Sequence, residues 1–142
     1  MSVKNVQFSI ATHILAVLAF HRGEQVSSKT LAESVNADPT FVRKSLSKLS
    51  KAGLVVTKRG KSGAATLARG PDKITLLDVY RASGAPPTFA IHSYRVAPKC
   101  LVSSSLKPCL SALLSEAQNN FERSLLQITV ADLASDIRRQ KR

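Results

Sequence analysis

Residues 27–55 read SSKTLAESVNADPTFVRKSLSKLSKAGLV, and the fold turns on this stretch. Ser27 or Ser28 can cap a helix with Leu31, Ala32 and Val35 as its apolar positions, because a hydroxyl satisfies backbone N–H groups that the first turn leaves free. Asn36-Ala37 breaks that helix, since asparagine tolerates a left-handed backbone. Asp38-Pro39 opens a second one, a capping carboxylate followed by the residue whose fixed φ suits the first helical position. It is predicted to run to about Ala52 and to stop at Gly53, which suits a C-terminal cap. At about 100° per residue, Thr40, Arg43, Lys44, Ser47 and Lys51 fall on one side of this helix, and Val42, Leu46 and Leu49 on the other. One face packs and the other carries cations and hydroxyls. Helix, tight turn and helix with such a face is the helix-turn-helix pattern. The major groove of DNA admits one helix, and Arg, Lys, Ser and Thr can reach its base edges and phosphates.

An ordinary amphipathic helix with a solvated basic face has the same periodicity, so the flanking sequence decides. Leu54 to Arg59 reads as a strand rich in β-branched residues. Gly60-Lys61-Ser62-Gly63 is a turn, and Ala65 to Arg69 can return as a second strand. This makes a wing tipped by Arg59 and Lys61, cations suited to the negative potential of a narrow minor groove. Upstream, Asn5 to His21 sets Phe8, Ala11, Ile14/Leu15 and Leu18 at helical spacing. That apolar run is broken by Ser9, Thr12 and His13. It is too short to span a bilayer and lacks a signal peptide's basic start and cleavage site, so no membrane association and a cytoplasmic location are expected. The formal net charge is +12 in 142 residues. Eleven Lys/Arg stand against three Asp/Glu through Gly70, and ten against six beyond it, so the excess is concentrated in the helix-turn-helix half. Such an excess predicts a polyanionic partner.

Several runs resemble one family closely: Leu31-Ala32-Glu33, Phe41-Val42-Arg43-Lys44, Leu46 to Val55, Arg59-Gly60, Leu67-Ala68-Arg69 and Ile74 to Ala82. Pro98 to Val102 and Ile128 to Leu133 extend the similarity over nearly the whole chain. The sequence resembles the Rrf-type family of bacterial winged-helix transcriptional regulators, and is most similar to its cluster-free, YwnA-like branch. The family wing usually has two adjacent glycines and then an aromatic residue, where this sequence has Gly63, Ala64 and Ala65. Cluster-binding members have three closely spaced cysteines after the winged helix, whereas this chain has only Cys100 and Cys109. Two thiols cannot supply the four ligands of an iron–sulfur cluster, even with His92 as a third donor, so no cofactor and no metal are expected. Cys109 is expected to be a small buried apolar residue. For Cys100, with Lys99 beside it and Pro98 making a turn, a redox role and plain burial both stand.

The expected architecture is mostly α with a small β wing. A winged helix-turn-helix domain spans 1–83 and a connector, where the resemblance places signal sensing, spans 84–103. A dimerisation helix and a C-terminal helix fill 104–142. The long helix is predicted from about Ser104 to Gln127, with Pro108 tolerated in its first turn. Leu106, Leu110, Leu113, Leu114, Ala117, Phe121 and Leu125 form an apolar stripe that could pack within the chain or against a second copy, and the resemblance implies a two-fold homodimer. Thr75 and Thr129, each three residues before a carboxylate (Asp78, Asp132), match the capping-box pattern, which reads both acids as structural.

No phosphate-binding loop, His-rich metal motif or activated nucleophile is visible, and His13 and His21 sit on the first helix as packing or surface residues, so no enzyme is expected. The leading reading is a homodimeric, sequence-specific regulator, a repressor, bound to a palindromic operator in double-stranded DNA. Thr40, Arg43, Lys44, Ser47 and Lys51 would face the major groove, with Arg59 and Lys61 in the minor groove. Ser27, Ser28, Lys29 and Lys58 would hold phosphates. A redox or small-molecule effector would act on it, with Cys100 as the candidate redox sensor. Two other readings stand beside it: a basic architectural protein without sequence preference, and a redox or ligand sensor whose output is a protein contact.

Overall fold

A computed structural model describes residues 5–21, 23–58 and 63–140. The first helix, α1 (Gln7–Phe20), buries Ala11, Ile14, Leu15, Ala16, Leu18 and Ala19. These positions do not form one narrow stripe, as suits a helix covered on several sides. The helix-turn-helix packs on it. In α2 (Ser28–Val35) the Ser27 Oγ accepts the Thr30 N–H at 3.1 Å, and Asn36 ends the helix at φ 52°. In α3 (Pro39–Lys51) an Asp38 carboxylate oxygen accepts the Thr40 N–H at 2.8 Å, and Gly53 beyond the helix has φ 77°. Leu31, Val42, Leu46 and Leu49 join the α1 residues in one core.

The wing strands are β1 (Val55–Thr57) and β2 (Ala65–Leu67), antiparallel with Val55 opposite Leu67 and Thr57 opposite Ala65. They are shorter than the sequence pattern suggested. Val26 extends the pairing, exchanging both backbone hydrogen bonds with Ala65 at 2.8 and 2.9 Å. Ala64 and Ala65, which stand where the family has a glycine and an aromatic residue, are buried at the base of the wing. Gly63 has φ 52°, and a side chain there would also meet Ser28 Oγ at 3.1 Å. Arg59 and Lys61 lie outside the described residues.

A 3-10 turn (Pro71–Lys73) leads to α4 (Leu76–Ala82); residues 83–100 have no helix or strand, and α5 (Leu101–Leu126) and α6 (Val130–Arg139) follow. Both capping boxes form. Thr75 Oγ1 accepts the Asp78 N–H while Asp78 accepts the Thr75 N–H, and Thr129 and Asp132 do the same, all at 2.9–3.0 Å. The two capped ends lie side by side, since Leu76 N–H donates to Ile128 O at 2.8 Å and Val130 N–H to Ile74 O at 2.9 Å. The sequence pattern grouped α6 with the assembly helix. In the structure its Val130 and Ala134 are buried in the same core as α1, and the Arg138 guanidinium lies 4.7 Å above the Phe20 ring.

The long helix differs from expectation at its start. It begins at Leu101 rather than near Ser104, with Cys100 Sγ accepting the Ser103 N–H at 3.4 Å, so Pro108 is the eighth helical residue and not in the first turn. Proline leaves the Ser104 carbonyl without its helical donor. Ser104 and Pro108 are both exposed, on a side where water can take that donor's place. The far end of α5 is fixed to the winged helix. Tyr80 stands edge-on to Phe8 and Phe121, donates its hydroxyl proton to Pro86 O at 2.8 Å and accepts from Gln118 Nε2 at 3.0 Å. Gln118 Oε1 also accepts from the Thr88 N–H and hydroxyl, which holds the connector against α5. Among the described residues, no helix is long and apolar enough to cross a membrane.

Candidate nucleic-acid interface

The face of α3 opposite its buried side is assembled as the periodicity required. Val42, Leu46 and Leu49 are buried; Thr40, Arg43, Lys44, Ser47 and Lys51 are all exposed. Lys29 at the start of α2 and Lys58 at the end of β1 are exposed as well. Two ion pairs occur among the described residues, Arg81 with Glu122 at 3.6 Å and Arg139 with Asp136, and neither involves these cations. Lys29, Arg43, Lys44, Lys51 and Lys58 therefore stand without a carboxylate partner among the described residues. A surface of that kind attracts a polyanion.

Ser27 belongs to this region in a different role. Its hydroxyl accepts the Thr30 N–H and donates to Thr30 Oγ1 at 3.0 Å, so it is committed to holding α2. Ser28 is half-buried at the base of the wing, against Gly63. Lys48, passed over in the facial sorting, donates from Nζ to Ser83 O at 3.3 Å and ties α3 to the end of α4. Phe41, read only as part of a family motif, is 57% exposed on a third face of α3. His13 is a surface residue bonded to Ser34 Oγ at 3.0 Å, linking α1 to α2.

The apolar stripe of α5 divides in two. Leu125 is buried against Leu77 and Tyr80, a correction to its expected place in an assembly face, and Phe121 is half-buried with one side on Tyr80. Leu106, Leu110 and Leu114 are half-buried, while Leu113 (64% exposed) and Ala117 face outward. Cys109, expected to be buried, is exposed, because the helix face that carries it has no partner within the chain; Cys100 is exposed too.

The profile of the Rrf2 family, described as iron-dependent transcriptional regulators, matches residues 5–136. YwnA of Bacillus subtilis (strain 168), provisionally described as an HTH-type transcriptional regulator, is 32% identical over 134 residues, covering 94% of this chain and 98% of that protein. A solved structure from Lactobacillus plantarum, provisionally described as a transcriptional regulator, superimposes with a TM-score of 0.80 at 29% identity, over 95% of this chain and 91% of the other. CymR, described as the global cysteine regulator of B. subtilis, superimposes with a TM-score of 0.67 at 25% identity, over 95% and 98%.

The family description names iron, but the described donors of one chain do not assemble a metal site. Cys100 is the N-cap of α5 and Cys109 lies nine positions on, more than two helical turns away, about 12 Å or more at 1.5 Å per residue and too far to share one metal ion. Among the described residues, no three or more His, Cys, Asp or Glu cluster as a metal site would require.

Proposed function

This chain belongs to the Rrf2 family of transcriptional regulators, and we propose that it works as a cytoplasmic, cofactor-free homodimer that represses transcription from a palindromic operator. The carrying observation is the exposed face of α3, cationic and unpaired, on a helix whose other side is locked into the core. Arg43 and Lys44 reach guanine edges or neighbouring phosphates, and Thr40, Ser47 and Lys51 complete the contact. Lys29 and Lys58 set the register on the backbone without reading sequence. The outward part of the α5 stripe supplies the dimer face, and a two-fold pair presents two recognition helices about one helical turn apart, 34–36 Å.

Redox control through Cys100 fits the same frame. Its Sγ caps α5 next to the connector, and peroxide would convert the exposed thiol to a sulfenic acid with release of water, changing that cap. The test is fluorescence anisotropy at physiological salt with DNA from immediately upstream of the protein's own gene, against a length-matched scrambled duplex, reduced and then oxidised. A preference of about a thousandfold or more is expected for a specific regulator. Loss of that preference on oxidation, absent in Cys100→Ser, would establish the signal. Equal binding to both duplexes would overturn the operator reading and favour attachment driven by net charge alone.

A further inference from the structure

A cleft of 460 Å³ opens between the N-terminal turn of α1, one side of α3 and the point where the chain leaves α4. Its apolar walls are Val6, Ile10, Phe41 and Pro86, and its polar ends include Lys44 and Lys48. Val6 is 47% exposed and Phe41 57% exposed, so two large apolar side chains face water across a recess instead of packing. No Asp or Glu lines the recess, and neither lysine pairs with a carboxylate among the described residues. Phe41, Lys44 and Lys48 sit at steps of three and four on α3, and therefore share a side of it. Lys44 lies at the seam between that side and the proposed DNA face.

We propose that this cleft binds an organic carboxylate with an apolar body as an effector, and that the bound anion competes with DNA for Lys44. The volume falls in the range of small-molecule sites, which are mainly apolar with a few placed polar groups. Charge complementarity selects an anion. The exposed Phe41 and Val6 select an apolar body over a bare inorganic ion. Lys48 gives a second link, because its Nζ is held 3.3 Å from the Ser83 carbonyl, one residue before Gly84 at φ 73°, where the connector begins. A carboxylate drawing Lys48 away would release that carbonyl and uncouple α3 from the connector. A ligand that weakens DNA binding is itself weakened by DNA to the same degree. The competition, though not the binding site itself, rests on α3 being the recognition helix.

The experiment uses the full-length ¹⁵N-labelled chain, titrated with phenylacetate, indole-3-acetate and octanoate, and with acetate and 2-phenylethanol as probes lacking the body or the charge. Expected are saturable shifts of the Ile10, Phe41, Ser45 and Lys48 amides with at least one of the first three ligands. Acetate and phenylethanol should bind about tenfold more weakly or worse. Lys48→Met, which keeps the aliphatic stem, and Phe41→Ser, at an exposed position, should each weaken that ligand about tenfold with the amide spectrum otherwise intact. In anisotropy, the same ligand should raise the apparent Kd for the upstream duplex in the native chain and fail to do so in Lys48→Met. No saturable shift in the cleft with any of the three, or equal shifts with acetate, would overturn the site. Saturable cleft shifts without any effect on DNA that is bound would overturn the competition. A chain that titrates with ligand but binds no DNA would instead refute the assignment of α3.

Discussion

Truncating Lys58 to alanine separates the electrostatic part of the proposed interface from its sequence-reading part. Lys58 is exposed, and its backbone N–H donates to Ala64 O at 2.8 Å, so loss of the side chain leaves the hydrogen bond at the neck of the wing in place. Each neutralised phosphate contributes about −0.9 to the slope of log affinity against log salt, so one lysine from each half of a two-fold complex accounts for about −1.8. Over a change from about 50 to 200 mM salt, that slope corresponds to about a tenfold difference in affinity. The native protein should therefore lose about ten times more affinity than Lys58→Ala across this range, on operator and scrambled DNA alike. Arg43→Ala should behave differently. The guanidinium is exposed on α3 without a carboxylate partner, and removing a bidentate guanine contact costs about 1–3 kcal/mol on the operator and far less on a scrambled duplex. Anisotropy titrations of both variants on both duplexes across a salt series separate the two behaviours. If the variants shift affinity by the same factor on both DNAs, with equal changes in slope, α3 does not read the sequence.

Three further outcomes test the frame that holds the interface. Thr129→Ala removes the acceptor of the Asp132 N–H at 3.0 Å; it should cost about 1 kcal/mol, about 3 °C in melting temperature for a chain of this size, and Thr129→Ser should restore it. Val130→Ala removes two methyl groups from a fully buried position shared with α1, for about 2 kcal/mol. Since α6 shares the core of the DNA-binding unit, helicity and DNA binding should then be lost in one thermal transition, and hydrogen exchange showing α6 opening separately would contradict this. Leu113→Glu, at an outward site of α5, should shift sedimentation from dimer to monomer and weaken operator binding; an unchanged dimer would place the interface elsewhere.

The elements that were legible in the sequence are those fixed by interactions a few residues long. Ser27 and Asp38-Pro39 start α2 and α3, Asn36 and Gly53 end them with left-handed residues, and the boxes at Thr75 and Thr129 start α4 and α6. The sides of α3 followed from its period, because buried and exposed positions recur along a single helix. The start of α5 was less legible. Its cap is a thiol, not one of the residues preferred there, and a proline seven positions into the helix argues locally for a later start. Phe41 and Lys48 were passed over for another reason. A two-sided sorting of α3 leaves no place for a third side, which acquires meaning only with α1 and the end of α4 beside it.

Caps, period and net charge are properties of neighbouring residues, so a mostly helical chain with a basic helix-turn-helix followed by a wing can be read from the residues in order. Tertiary structure decided that α6 returns to complete the core around α1 and that Leu125 and Phe121 anchor α5 to Tyr80. It also left Leu113 and Cys109 facing outward. These outcomes depend on contacts between residues more than forty positions apart, in which several apolar stripes compete for the same buried surface. An amphipathic pattern states that a face must be covered; only the packed chain states by what.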